Sequence, residues 1–167
     1  MSISMHEDIK ALYLTKIELY EELADLLEQE RKSLESADLE AMWKFSDQKQ
    51  RISTRLVQIR NDILAALTRA GIRHHMNEST FHTPTVISLM PKEPGRVLQK
   101  IHISLVMIKN KVHSLSQENK KFVTDYLGIL DELIGIITNA GNPQPVYDNA
   151  RHCRTGKKSN LLLHKEV

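Results

Sequence analysis

The stretch that decides the fold reads Leu98-x-x-Ile101-x-x-x-Leu105-x-x-Ile108-x-x-x-Val112-x-x-Leu115-x-x-x-Asn119-x-x-Phe122-x-x-x-Tyr126-x-x-Ile129-x-x-x-Leu133-x-x-Ile136. Its steps alternate between three and four residues without error. An apolar repeat of 3.5 residues keeps one side of a helix facing the same way and produces a left-handed coiled-coil seam. The pattern predicts a helix over about 95–140, roughly 65 Å long at a rise of 1.5 Å per residue. Pro94 suits its first turn and Gly141 its end. A helix of that length cannot bury its seam alone. Upstream helices must line it, or a second copy of the chain must.

Upstream, two further apolar series run at helical spacing. Ser4-x-x-Glu7 has the form of a capping box, in which hydroxyl and carboxylate satisfy each other's free backbone N–H groups. Ile9, Leu12, Leu19, Tyr20, Leu23, Leu26, Leu27 and Leu34 follow, predicting a helix over about 4–34 with an acidic outer face. Leu39, Met42, Phe45, Ile52, Leu56, Ile59, Ile63 and Leu67 predict a second over about 37–70. The five-residue step from Leu34 to Leu39 breaks both rhythms. It places a tight turn at 35–37, with Ser36 as N-cap and Asp38 and Glu40 favourable to the helix dipole. A single kinked helix is the alternative, because neither Gly nor Pro enforces the turn. Gly71 ends the second helix, and residues 71–94 read as a loop rich in breakers, with a short helical turn around Val86–Met90. The fold class is therefore all-α: an elongated antiparallel three-helix bundle or coiled coil with a disordered C-terminal tail. The bundle occupies residues 1–140 and a flexible basic tail 141–167.

Composition agrees and excludes several functions. Only 5% of the 167 residues are aromatic and six are glycine, which argues against a strand-and-turn architecture. Residues 1–140 hold 18 Lys and Arg against 19 Asp and Glu, while the tail carries a net +3. A neutral body with a basic tail is the pattern of an interaction tail, and nucleic-acid binding is not expected without a basic face on the folded part. The N-terminus has no secretory pattern, and the apolar window Tyr126–Ile137 is too short and too interrupted to span a bilayer. A single cysteine, Cys153, excludes an internal disulfide. The expected location is the cytoplasm, with no stable membrane insertion. His74, His75 and His82 match no zinc spacing, and His102 and His113 lie about 16 Å apart along a helix. These imidazoles are expected to be solvated, and His152-Cys153 lies in the tail without a rigid frame. No metal, cofactor or enzymatic activity is expected.

Binding is more legible than chemistry. From Tyr126 onward the positions flanking the seam turn apolar. Leu127, Leu130, Ile134 and Ile137 join Tyr126, Ile129, Leu133 and Ile136 in an arc over nearly half the helix. Gly128 and Gly135 stand a heptad apart on a neighbouring stripe. The arc is either buried by other parts of the chain or an exposed groove for a partner helix. In the tail, two apolar knots, Val146-Tyr147 and Leu161-Leu162-Leu163, could cover the groove when empty and clamp a client when full. Asn119, alone and polar in the seam, reads as a device fixing register.

The sequence resembles the FlgN family of flagellar export chaperones. The resemblance is carried by Leu23-x-x-Leu26-Leu27-x-x-Glu30-x-x-x-Leu34-x-x-x-Asp38 and by Lys49 ahead of the Ile52-Leu56-Ile59 stripe. Asn119-x-x-Phe122 and Val146-Tyr147-Asp148 complete it. Ala150-Arg151 stands where a Gly usually follows the tail tyrosine. The resemblance implies a chaperone that holds the C-terminal helical region of hook-associated (hook–filament junction) proteins and delivers them to an export-gate component. It places client contacts on the last helix and the tail: Tyr126, Leu127, Leu130, Ile134, Ile137, Val146, Tyr147, Leu161, Leu162 and Leu163. The alternative is a structural coiled-coil homodimer or adaptor with no export role.

Overall fold

The structure is a computed structural model that describes residues 2–140, with the side chains of residues 5–138. The expected tail, 141–167, lies outside the described residues. The described elements are all helices: α1 (Ser2–Glu35), α2 (Leu39–Arg69), α3 (Thr83–Ser88) and α4 (Lys92–Ala140). Backbone packing divides the chain into two compact units, Met1–Phe122 and Val123–Val167.

In the first unit α1 and α2 form the expected hairpin rather than one kinked helix. The turn is a Schellman motif: the Asp38 N–H donates to Ser33 O at 3.0 Å and the Ala37 N–H to Leu34 O at 3.2 Å. Ala37 takes the left-handed position at φ +53°. The end of α2 repeats the motif with Gly71 at φ +72°, the Ile72 N–H reaching Leu67 O and the Gly71 N–H reaching Thr68 O. Two cap assignments change. Ser36 directly follows α1 and closes it, its N–H bonded to Lys32 O and its hydroxyl to Ser33 O. The N-cap of α2 is Asp38, in extended backbone, accepting from the Ala41 N–H at 3.0 Å. α1 starts at Ser2, so Ser4 lies within the helix and not at its N-cap position.

The core of this unit follows the expected stripes. Ile9, Tyr13, Leu19 and Leu26 of α1 cluster with Ile52, Leu56, Ile59, Ile63 and Leu67 of α2, and with Leu98 and Leu105 of α4. Each such side chain, fully buried, contributes roughly 1.5–3 kcal/mol. Leu39 departs from its stripe. It is 68% exposed at the start of α2, where the reverse turn leaves nothing to pack on it. The connection after α2 is tied down in two places. Asn77 Oδ1 accepts from the Ser79 and Thr80 N–H groups, and Val86 of α3 is fully buried. α4 begins three residues earlier than the breakers suggested, with Pro94 in its first turn.

One polar cluster inside the first unit draws on three helices. Asn119 of α4, only 6% exposed, donates from Nδ2 to Leu27 O at 2.9 Å and to Glu30 Oε2 at 3.1 Å. Lys49 of α2 donates to the other Glu30 oxygen at 2.5 Å. Arg31 lies over the Phe122 ring at 5.0 Å. Further along, Lys111 pairs with Glu28 at 2.9 Å and Lys109 lies over the Tyr20 ring at 6.0 Å. Among the described residues no helix is long and apolar enough to cross a membrane.

The two turns give a direct test. An L-residue in the left-handed region is strained by about 1 kcal/mol or more, a strain glycine does not carry. Ala37→Gly should raise the urea midpoint by the equivalent of about 1 kcal/mol with an unchanged m value. Gly71→Ala should lower it by a similar amount, although open space would receive its Cβ. No change in either variant would show that these turns do not limit stability.

Candidate functional site

The seam of α4 changes state along its length. Leu98 and Leu105 are buried, Ile101, Ile108, Val112, Leu115 and Phe122 are half-buried, and Asn119 is buried. From Tyr126 the same heptad positions are exposed: Tyr126 46%, Ile129 57%, Leu133 49% and Ile136 64%. The flanking residues Leu127, Leu130, Ile134 and Ile137 are also exposed. Eight large apolar side chains are therefore exposed within twelve residues of one helix. Soluble proteins seldom leave a contiguous apolar surface of this kind without a use for it.

Helical geometry sharpens the arc. At about 100° per residue, Tyr126, Leu130, Leu133 and Ile137 form its middle, flanked by Ile129 and Ile136 on one side and Leu127 and Ile134 on the other. Gly128 and Gly135 do not border it. They fall about 180° from its centre, on the face that also carries Asp131 and Glu132. A Cβ added at either glycine would meet nothing within 4 Å. The arc is therefore a wholly side-chain surface on a helix whose other face is polar and small.

Of the client-contact residues expected from the sequence, Tyr126, Leu127, Leu130, Ile134 and Ile137 thus share one exposed helix face. Val146, Tyr147, Leu161, Leu162 and Leu163 lie outside the described residues. Two features escaped the sequence reading. Trp43 is 75% exposed one turn into α2, off the apolar stripe of that helix. Lys16 is only 4% exposed. Its signal was present as a gap: the apolar series of α1 jumps from Leu12 to Leu19, and Lys16 fills the inward position between them.

Lys16 is surrounded by rings and other cations. Its ammonium lies 4.9 Å from the Phe81 centroid and 5.8 Å from that of Tyr13. Burial pushes its pKa down to about 8, helped by the charges of Lys109 and Arg60. Burial likewise raises the Tyr13 phenol to about 12, and the nearby Thr83 side chain offsets only part of that rise. His75, His82 and His113 are exposed as expected, whereas His74 and His102 are half-buried. Burial, and then the charges of Lys109, His82 and Lys16, lower the pKa of His102. The Nδ1 atoms of His74 and His102 are both buried without a hydrogen-bond partner. Among the described residues no three His, Cys, Asp or Glu gather in a way that could hold a metal ion.

Comparison with known proteins places this geometry in context. The model of the FlgN protein family matches residues 5–152, most of the chain. Searches of curated proteins and of solved structures returned no significant match.

The buried pair also sets a pH profile. Below about pH 8 folded Lys16 carries a poorly solvated charge; above that it loses its proton while the unfolded lysine holds its own up to 10.5. The unfolded state then binds more protons, so stability should rise from pH 8 towards pH 10. Above pH 10 the unfolded tyrosine ionises while folded Tyr13 does not, and the curve should turn down. Urea titrations across this range should show the rise in the native chain and its loss in Lys16→Met. A rise that survives the substitution would trace it to another group.

Proposed function

Because the chain belongs to the FlgN family of flagellar export chaperones, we propose that it binds hook-associated proteins in the cytoplasm through the exposed arc of α4 and delivers them to an export-gate component. The observation that carries this reading is the arc itself, eight apolar side chains at Tyr126–Ile137, each between 37% and 65% exposed. A client helix laid along it would place its own apolar face on Tyr126, Leu127, Leu130, Ile134 and Ile137, the helix-in-groove mode. The natural occupant is the C-terminal helical region of the junction protein, since an amphipathic helix presents an apolar stripe of matching width. In this scheme Val146, Tyr147, Leu161, Leu162 and Leu163 supply a second set of contacts, and the basic residues between them add attraction for an acidic client. α1, α2 and the first part of α4 act as the rigid base, a three-helix bundle held in register by Asn119. Binding of this kind requires no cofactor and no catalytic group.

A second copy of the chain could also cover the arc, because Tyr126, Ile129, Leu133 and Ile136 keep the heptad spacing of a coiled-coil seam. Light scattering distinguishes the two readings. A monomer that takes up one junction protein supports the chaperone. A homodimer unaffected by junction proteins supports the structural alternative.

Substitution tests the surface directly. Leu130→Asp combined with Ile134→Asp should abolish retention of a hook-associated protein in co-purification, while circular dichroism and unfolding midpoint stay close to native. Both side chains are exposed, so the core is untouched. Gly128→Ala with Gly135→Ala is the complementary variant. It should stabilise the helix by about 1 kcal/mol per site and leave client affinity intact, because the glycines face away from the arc. Retention of the client by the double Asp variant would remove the arc from the function.

A further inference from the structure

α1 turns two ionisable side chains inward, and the fold answers only one of them. Glu30, 9% exposed, receives Lys49 from α2 and Asn119 from α4. Lys16, 4% exposed, receives no carboxylate from any described residue. The groups that act on it are cations: Lys109 of α4 and Arg60 of α2. His102, which feels Lys109, His82 and Lys16, extends the same cluster. The ion pairs among the described residues include none of these five groups. One hydrogen-bonding atom of the cluster, His102 Nδ1, is buried without a partner as well.

Packing alone does not account for this arrangement. The inward neighbours of Lys16 along α1 are Ile9, Tyr13 and Leu19, all fully or almost fully buried, and a Leu or Met would continue them without a charge. The faces of Tyr13 and Phe81 attract an ammonium but cannot accept hydrogen bonds from its three N–H groups in the way an oxygen does. What the cluster lacks is one negative charge with accepting oxygens.

We propose that Lys16, Arg60 and Lys109 form a binding site for a carboxylate supplied by an acidic side chain of a protein partner. Lys16 is the floor of the site and the ring faces of Tyr13 and Phe81 its walls. Half-buried Arg60 and exposed Lys109 add positive charge to it from α2 and α4. A carboxylate is flat and singly charged, and its two oxygens can accept from Lys16 and from the fork of Arg60. A larger, doubly charged and strongly hydrated anion fits ring walls less well. The site is built wholly from residues of the first unit, so it does not depend on the client reading.

Lysine-selective 13C NMR provides the test on the full chain, with sodium acetate as the carboxylate probe. In chloride the Lys16 ammonium should titrate near 8. Acetate at the same ionic strength should move that midpoint up by about one unit, equivalent to tenfold preference for the charged form. Lys109→Gln should reduce the acetate response, whereas Lys111→Gln should leave it unchanged, since Lys111 is paired with Glu28. Equal midpoints in acetate and chloride would overturn the proposal. So would an intact response in Lys109→Gln, or a shift caused by inorganic phosphate but not by acetate.

Discussion

The first unit depends on a buried carboxylate having its partners. Glu30 sits in the inward stripe of α1, where an unpaired charge would destabilise the fold by several kcal/mol. One oxygen is held by Lys49 and the other by Asn119, which also reaches Leu27 O. These bonds can form together only when α2 and α4 each present one particular residue to one particular turn of α1. Sliding α4 by a heptad would put Val112 or Tyr126 opposite Glu30 and leave an oxygen unanswered. Leucines alone would tolerate such a slip, because an all-apolar seam looks much the same one heptad along. Specificity of register comes from the polar cluster, and the leucines around it supply stability.

That division of labour explains how much of the fold was legible. Strict heptad spacing identified α4, and the break between Leu34 and Leu39 placed the hairpin. Glu30, Lys49 and Asn119 were all visible as residues carrying the resemblance, yet they are 19 to 89 positions apart. No periodicity links them, so their convergence emerged only with the tertiary structure. The cap of α2 was misplaced by two residues for a local reason. Ser36 and Asp38 are both good N-caps, and the choice was made by a Schellman turn that used Ser36 to finish α1. The left-handed residue of that turn is an alanine, so the usual glycine signal was missing.

The candidate site was legible in its residues but not in its state. Leu127, Leu130, Ile134 and Ile137 are the residues expected of a helix buried on two sides as much as of one awaiting a partner. Sequence patterns report that an apolar surface must be covered, without saying by what. The exposure of Tyr126–Ile137 is a property of the folded chain that no periodicity carries. Lys16 was missed for the opposite reason: a single lysine at helical spacing reads as surface, and only the seven-residue gap between Leu12 and Leu19 marked its position as inward. The tail knots had the composition of a contact segment, and composition alone does not locate them against anything.

The exposed end of α4 also raises a question of helix stability. A helix of fewer than about 12–15 residues is marginal in water, and most helices in proteins persist because one face is packed. From Tyr126 to Ile137 the apolar face is exposed, and Gly128 and Gly135 each weaken the helix by about 1 kcal/mol relative to Ala. Continuity with the packed part of α4 offsets this, because nucleation is the costly step and extension from an anchored helix needs only one bond per residue. A preformed helix then presents its apolar side chains already aligned, so a partner need not order them on binding. The glycines keep the opposite face free of apolar side chains, so the only contiguous hydrophobic surface this stretch offers is the arc. The weakness therefore lies behind the apolar surface, where it limits helix stability without altering the side chains of the arc.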